Sequence, residues 1–443
     1  MTDPLERRQL AHLNLMAAQK ARESTAYQAA LQYCYQGIQL LSSEDWQRET
    51  TGQFDHLLPD LYQAATESAF LSHDFEQMDA LIAEVIQHSP NPLDQAKVYN
   101  VRLQAHQVKG EQLKAIALGR EILDQLGFTL PESVTLTDTV NAAQKTLGCL
   151  RNREIEDLTN LPLMTDPQAL FAQEIMISIV PSVHQAAPYL FPIIACEEVN
   201  LSLRYGNSLL SAPGYADFGI VVNTVLNRLE EGYQFAQLAL KIVDQFAGKS
   251  VQSMTNLKVA TFNQYNKQPV ANSITLLKEA YLVGLETGDF VHTFTSTFFR
   301  LLYIYLSGSK NLEDLLQELE RYALDFAAAQ HFLVWSGILR QTLETLTEPV
   351  QNPGFLSGEY CNEARLLPDL VANNDELTLH LLFLNKLMLS YWFGDFSAAV
   401  RYAEQGKCYL NGGAGMLSVP VFYYYDSLAR LAVAPTHANP NQE

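Results

Sequence analysis

Apolar residues at helical spacing, a short polar turn and a second apolar helical run recur along this chain, and no segment sustains the alternation a strand needs. From Leu13 to Leu41, Ala17, Ala18 and Ala21 precede a polar turn, after which Tyr27, Ala30, Leu31, Cys34 and Ile38 share one helical face. The pattern returns at Ala65 and Ala69, turns at His73-Asp74-Phe75, and continues through Met78, Leu81, Ile82 and Val85. Ser89-Pro90-Asn91-Pro92 closes that helix, because proline lacks the amide that would extend it. A third copy runs from Val101 and Ala105 through Lys109-Gly110 to Leu113, Ile116, Ala117 and Ile122, ending at Gly127. Further on, Glu231-Gly232-Tyr233 leads Ala236, Ala239 and Leu240, Gly288-Asp289-Phe290 follows a helix holding Leu276, Leu277, Ala280 and Leu285, and Gly394-Asp395-Phe396 leads Ala399, Val400 and Ala403. Val134-Thr135-Leu136-Thr137 comes nearest to a strand and reads as loop.

These hairpins resemble degenerate tetratricopeptide repeats, in which small residues let two helices approach and an aromatic near the turn wedges against the next pair. The fold class expected is all-α, a superhelical solenoid of such hairpins. At about 34 residues per hairpin there is room for about a dozen. The rhythm breaks at Phe128 to Ser133, Asn160 to Pro167 and Glu348 to Gly358. The expected division of one continuous array is therefore 1–159, 160–347 and 348–434, followed by a disordered tail, 435–443, with nothing to bury.

Composition narrows the partners. A net charge of -20 argues against nucleic acid, whose nonspecific binding needs Lys and Arg to neutralise phosphates. The same charge opposes anionic membrane surfaces, and no run reaches the ~18 apolar residues of a spanning helix. Met1-Thr2-Asp3-Pro4-Leu5-Glu6-Arg7-Arg8 lacks signal-peptide architecture, which points to the cytoplasm. The five cysteines, Cys34, Cys149, Cys196, Cys361 and Cys408, are scattered without a C-x-x-C pair and read as reduced core thiols.

Catalytic motifs are missing. Asn411-Gly412-Gly413-Ala414-Gly415 has no lysine and hydroxyl residue opening a helix and reads as a turn. Ser307-Gly308-Ser309-Lys310 spells S-x-x-K without the companion motifs of acyl-enzyme hydrolases. The histidines offer no H-E-x-x-H. Glu197-Glu198 and Glu230-Glu231 point in different directions on a helix and read as solvated faces. No metal, cofactor or catalytic residue is expected.

Phe422-Tyr423-Tyr424-Tyr425 is the most unusual local feature. Three consecutive tyrosines cover most of a helix circumference, so at least one is expected to face solvent or a partner, the competing reading being packing between successive hairpins. With Tyr205, Asn207, Tyr303 and Tyr305, these residues are the candidate contacts for a partner or ligand.

Five phrases together resemble one family: LTNLPLMTDP from Leu158, EVNLSLRYGN from Glu198, GYQFAQLAL from Gly232, GLETGDF from Gly284 and VPVFYYYDSLAR from Val419. They are similar to the tetratricopeptide-like central region of large cyanobacterial signalling kinases. In that family a Ser/Thr kinase and an AAA/STAND-type ATPase precede the region, and a GAF sensor and histidine kinase follow it. The resemblance runs from about Glu6 to Val433, and implies an excised piece or a stand-alone relative without catalytic residues. Its implied role is a protein interaction and regulatory relay module acting on a protein, a peptide or adjoining kinase and ATPase domains. The alternative is a small-molecule sensor like the helical-repeat sensors of STAND-type transcription activators.

Overall fold

The computed structural model describes residues 3–46, 56–89, 91–150, 153–325, 330–347, 350 and 352–434. Among them the fold is all-α, and its one β pairing is an isolated bridge between Ser357 and Asn362. The first nine helices are α1 (Pro4–Glu23), α2 (Tyr27–Gln39), α3 (Leu57–Leu71), α4 (Phe75–His88), α5 (Pro92–Val108), α6 (Gln112–Gln125), α7 (Leu136–Gly148), α8 (Pro167–Ala186) and α9 (Leu190–Tyr205). Eleven more follow: α10 (Ser211–Thr224), α11 (Leu229–Gln245), α12 (Lys249–Phe262), α13 (Val270–Thr287), α14 (Phe290–Ser307), α15 (Leu312–Asp325), α16 (Gln330–Thr347), α17 (Glu363–Ala372), α18 (Glu376–Trp392), α19 (Phe396–Gly406) and α20 (Ser418–Val433).

A single turn chemistry joins several of these helices. Before α4, α14 and α19, a residue with positive φ ends the preceding helix: His73 at 60°, Gly288 at 74° and Gly394 at 81°. An aspartate follows and caps the next helix, its carboxylate accepting from the backbone amide three residues on. The Asp74 and Asp289 amides also donate back to Ala69 and Gly284, closing the earlier helix. The same device precedes α18, where Asn374 takes φ 52° and Asp375 caps onto Thr378. Asparagine tolerates the left-handed region better than most residues, so a turn without glycine serves equally.

Two compact units divide the chain: Met1–Thr139 with Leu163–Gly206, and Val140–Pro162 with Asn207–Glu443. In the first, α1 packs on α2, α2 on α3, α3 on α4 and α5, and α8 on α5, α6 and α9. Leu31, Leu61, Met78 and Ile82 are fully buried there, each such side chain contributing about 1.5–3 kcal/mol. In the second, α10 packs on α11 and α12, α12 on α13 and α14, α14 on α15 and α16, and α18 on α16, α17, α19 and α20. Gly219 of α10 and Gly232 of α11 face each other, and a Cβ on either would lie 2.8 Å from the other's carbonyl oxygen. That close approach explains the glycine in Glu231-Gly232-Tyr233.

Three local expectations are corrected. Leu136 and Thr137 open α7, because Asp138 accepts from the Thr135 amide at 2.9 Å and hydroxyl at 2.6 Å, building a helix cap. Glu198 is fully buried on α9, whereas Glu230 bonds Lys267 and Glu231 bonds Arg228 on the surface. Cys149 and Cys408 are exposed, whereas Cys34, Cys196 and Cys361 are buried. The loop expected at Asn160 to Pro167 contains one of the crossings between units, while Glu348 to Gly358 falls within the second. The tail 435–443 lies outside the described residues. No described helix is long and apolar enough to cross a membrane.

Candidate interaction surface

The tyrosine run lies on α20, and helical geometry sends its members to different environments. Phe422 is fully buried, 6.2 Å from the His380 ring, and Gly406 of α19 leaves room for it: a Cβ there would approach its ring edge to 2.8 Å. Tyr425 is half-buried, packing edge-on against Tyr391 and Trp392 at 5.5 Å from each, and its hydroxyl accepts from the Trp392 indole at 3.1 Å. Buried Asp426 anchors the next turn by bonding Arg430 at 2.7 Å and Lys407 at 2.9 Å. Tyr423 and Tyr424 are left outside, 50% and 59% exposed.

Through Tyr425, whose ring lies 5.2 Å from that of Tyr424, the end of α18 adds Trp392, 40% exposed and followed in sequence by Phe393 at 49%, and Leu431 continues the outer face of α20. Two phenols and an indole present broad, stiff apolar area with polar tips, the composition that concentrates binding energy in interfaces. The sequence signal for the indole was present in Tyr391-Trp392-Phe393, an aromatic triplet directly before the Gly394-Asp395 turn, but it carried no indication of exposure.

The other candidates hold the chain to itself. The Tyr303 hydroxyl donates to the Thr261 carbonyl and accepts from the Leu417 amide at 3.2 Å, while Tyr265 donates to the Gly415 carbonyl at 2.7 Å. Together they tie the turn before α20 to the end of α12. Burial pushes the Tyr303 phenol well above its ordinary range, consistent with a ring sealed in the core. Tyr305 is 8% exposed, stacked edge-on 6.3 Å from Trp392, and its hydroxyl has no hydrogen-bond partner among the described residues.

Asn207 is a clamp rather than a contact. Its amide donates to the Pro162 carbonyl at 2.7 Å, its side-chain amide to the Leu158 carbonyl at 2.7 Å, and its side-chain oxygen accepts from Tyr215 at 2.8 Å. Gly206, with φ 99°, supplies the backbone turn that a side chain would resist. Tyr205 is half-buried and edge-on to Phe128 at 6.3 Å. Of the seven candidates, Tyr423 and Tyr424 are exposed, Tyr425 and Tyr205 are half-buried, and Asn207, Tyr303 and Tyr305 are interior.

No protein-family model matches this chain. It is 22% identical over 311 residues to the hybrid signal transduction histidine kinase G of Dictyostelium discoideum, a match covering 65% of this chain and 9% of that kinase. The chain therefore spans less than a tenth of the relative's length.

Proposed function

We propose that this chain is a non-catalytic interaction and relay region of a signalling kinase, with a docking surface formed by Tyr423, Tyr424, Trp392 and Phe393. The observation that carries the reading is the exposed aromatic ridge, backed by a rigid anchor of Phe422, Tyr425 and Asp426. Support for the signalling context comes from the similarity to a hybrid histidine kinase. The chain works in the cytoplasm on this reading, between ATPase and sensor or transmitter domains, and a docked domain biases one arrangement of the helical hairpins over another.

Titration of purified chain with isolated kinase, ATPase, GAF and histidine-kinase domains tests it by calorimetry. One of them should bind, and Tyr423→Ser with Tyr424→Ser should weaken that binding at least about tenfold, a loss typical of paired hot-spot aromatics. The same variant should keep its melting temperature, because both rings are on the surface. Unchanged affinity in the double variant refutes the ridge. A melting rise with one metabolite, and no domain bound, favours the sensor alternative. Nucleotide hydrolysis by the purified chain refutes the non-catalytic reading.

A further inference from the structure

In the first unit, α2 and α4 leave an open groove of about 600 Å³, to which α3 contributes Tyr62. Tyr35 and Ile38, three residues apart on α2, face Tyr62 of α3 and Leu81 of α4 across it. The Tyr62 ring lies against Trp46 at 5.0 Å, and Trp46 in turn stacks on His88 at 6.0 Å, so the aromatic wall continues beyond the groove.

Its rim is acidic. Asp74, Gln77, Leu81 and Glu84 recur at three- and four-residue intervals along α4 and line one side, joined by exposed Glu76. Burial first, and then the neighbouring carboxylates Asp74 and Glu84, push the Tyr35 and Tyr62 phenols upward, which places negative charge beside both rings. Among the described residues none of the three rim carboxylates pairs with a lysine or arginine. Glu84 approaches His88 at 3.4 Å, and Asp74 accepts the Gln77 amide. Nearby cations are engaged elsewhere: Arg22 with Glu67, Arg102 with Asp79, and Lys109 over the Phe75 ring at 4.0 Å.

We propose that this groove docks a basic peptide segment of a partner protein, an arginine or lysine side chain lying over Tyr35 and Tyr62 with its charge among Asp74, Glu76 and Glu84. Ring faces attract a cation, and carboxylates at the rim supply charge-assisted hydrogen bonds that tyrosine alone cannot. A guanidinium fits best, since its plane stacks on a ring while its edge donates outward. The net charge of -20 adds long-range attraction for such a segment. The inference rests on the reading of the chain as an interaction region but uses a surface separate from the aromatic ridge.

The test is fluorescence anisotropy of a labelled dodecapeptide alternating arginine and leucine, beside its glutamate counterpart, at about physiological salt, where surface charge alone is screened within ~8 Å. The arginine peptide should bind and the glutamate peptide should not. Tyr35→Ser with Tyr62→Ser, which leaves the charge untouched, should weaken binding about tenfold, as should Glu76→Gln with Glu84→Gln. Glu121→Gln with Glu132→Gln, both exposed in the same unit, should bind like the parent. Should the tyrosine variant fail to fold, Glu76→Lys with Glu84→Lys substitutes exposed positions and should abolish arginine-peptide binding. Equal losses in the remote and groove variants would mean diffuse charge attraction and overturn the proposal, as would unchanged affinity in the groove variants. A groove that fails while the ridge variant still loses its domain partner leaves the relay reading standing.

Discussion

The α1–α4 region and the α16–α18 region are both buried helical packing, yet they are built from different residues. In the first, helices meet through Ala11, Ala18, Ala30, Ala65 and Ala69, all nearly or fully buried, and through Gly37. The buried hydroxyls of Thr66 and Ser68 bond carbonyls one turn back, each at 2.7 Å, so these buried polar groups carry no charge. In the second, Lys386 and Glu363 form an ion pair with side chains 5% and 6% exposed. The Lys386 ammonium lies 4.3 Å above the Tyr402 ring and 5.6 Å from that of Phe355. The pair pins a strap, residues 352–362, onto α18, and the second Glu363 oxygen accepts the Leu356 amide at 2.9 Å. Desolvating two charges offsets most of their attraction, so this arrangement adds little net stability over an apolar one; it fixes where the strap lies.

The largest expected effect is to break that pair. Lys386→Ala or Glu363→Ala should lower unfolding free energy in urea by about 3–5 kcal/mol, since each strands a buried charge, and Lys386→Met with Glu363→Leu should recover most of it. A single substitution that loses under about 1 kcal/mol would show that water reaches the pair and would erase the contrast between the regions.

Acid should separate the regions next. His380 on α18 is fully buried, its ring bonded to Ser418 at 2.9 Å, and burial pushes it from 6.5 down to about 4. The folded state therefore holds it neutral while the unfolded state takes up a proton. Its contribution is fully present above the unfolded value and is lost as pH falls toward the folded one, up to about 3 kcal/mol in all. Urea unfolding of the parent and His380→Gln at pH 7, 5.5 and 4.5 isolates this from titrating carboxylates. A parent-minus-variant difference independent of pH would contradict a sealed histidine.

Glycine substitution gives the smallest and finest comparison. A Cβ at Gly337 of α16 would meet the Tyr360 carbonyl of the strap at 2.5 Å, whereas one at Gly37 of α2 meets the tip of Leu61 at 2.7 Å. Backbone cannot swing aside and a leucine methyl can. Gly337→Ala should therefore destabilise by about 1–3 kcal/mol, and Gly37→Ala should come out within about 1 kcal/mol of neutral once helix propensity is credited. Similar thermal shifts for both would mean the strap yields as readily as a side chain.

Much of the fold was legible because its signals are local. Periodic apolar residues announced the helices, and the Asp74, Asp289 and Asp395 turns announced hairpins, since a cap needs only four neighbouring residues. The fourth copy, Asn374-Asp375, was less legible because Glu376 follows the aspartate where the other three have phenylalanine. Thr135 and Asp138 likewise formed a cap inside a segment read for its β-branched residues. The candidate surface was legible only in part: the tyrosine run did contain the exposed pair, but nothing nearby distinguished Tyr424 from Tyr303.

Sequence by itself determined that this chain is helical, where several of its turns fall, and that it carries a strong negative charge. Only the tertiary structure decided which aromatics face outward, that Glu198, Asp217 and Lys386 lie inside, and where the two units divide. The physical reason is one of range. Caps and periodicity act over one or two turns, whereas the burial of a given side chain depends on how its helix is rotated against neighbours that the chain supplies tens of residues away.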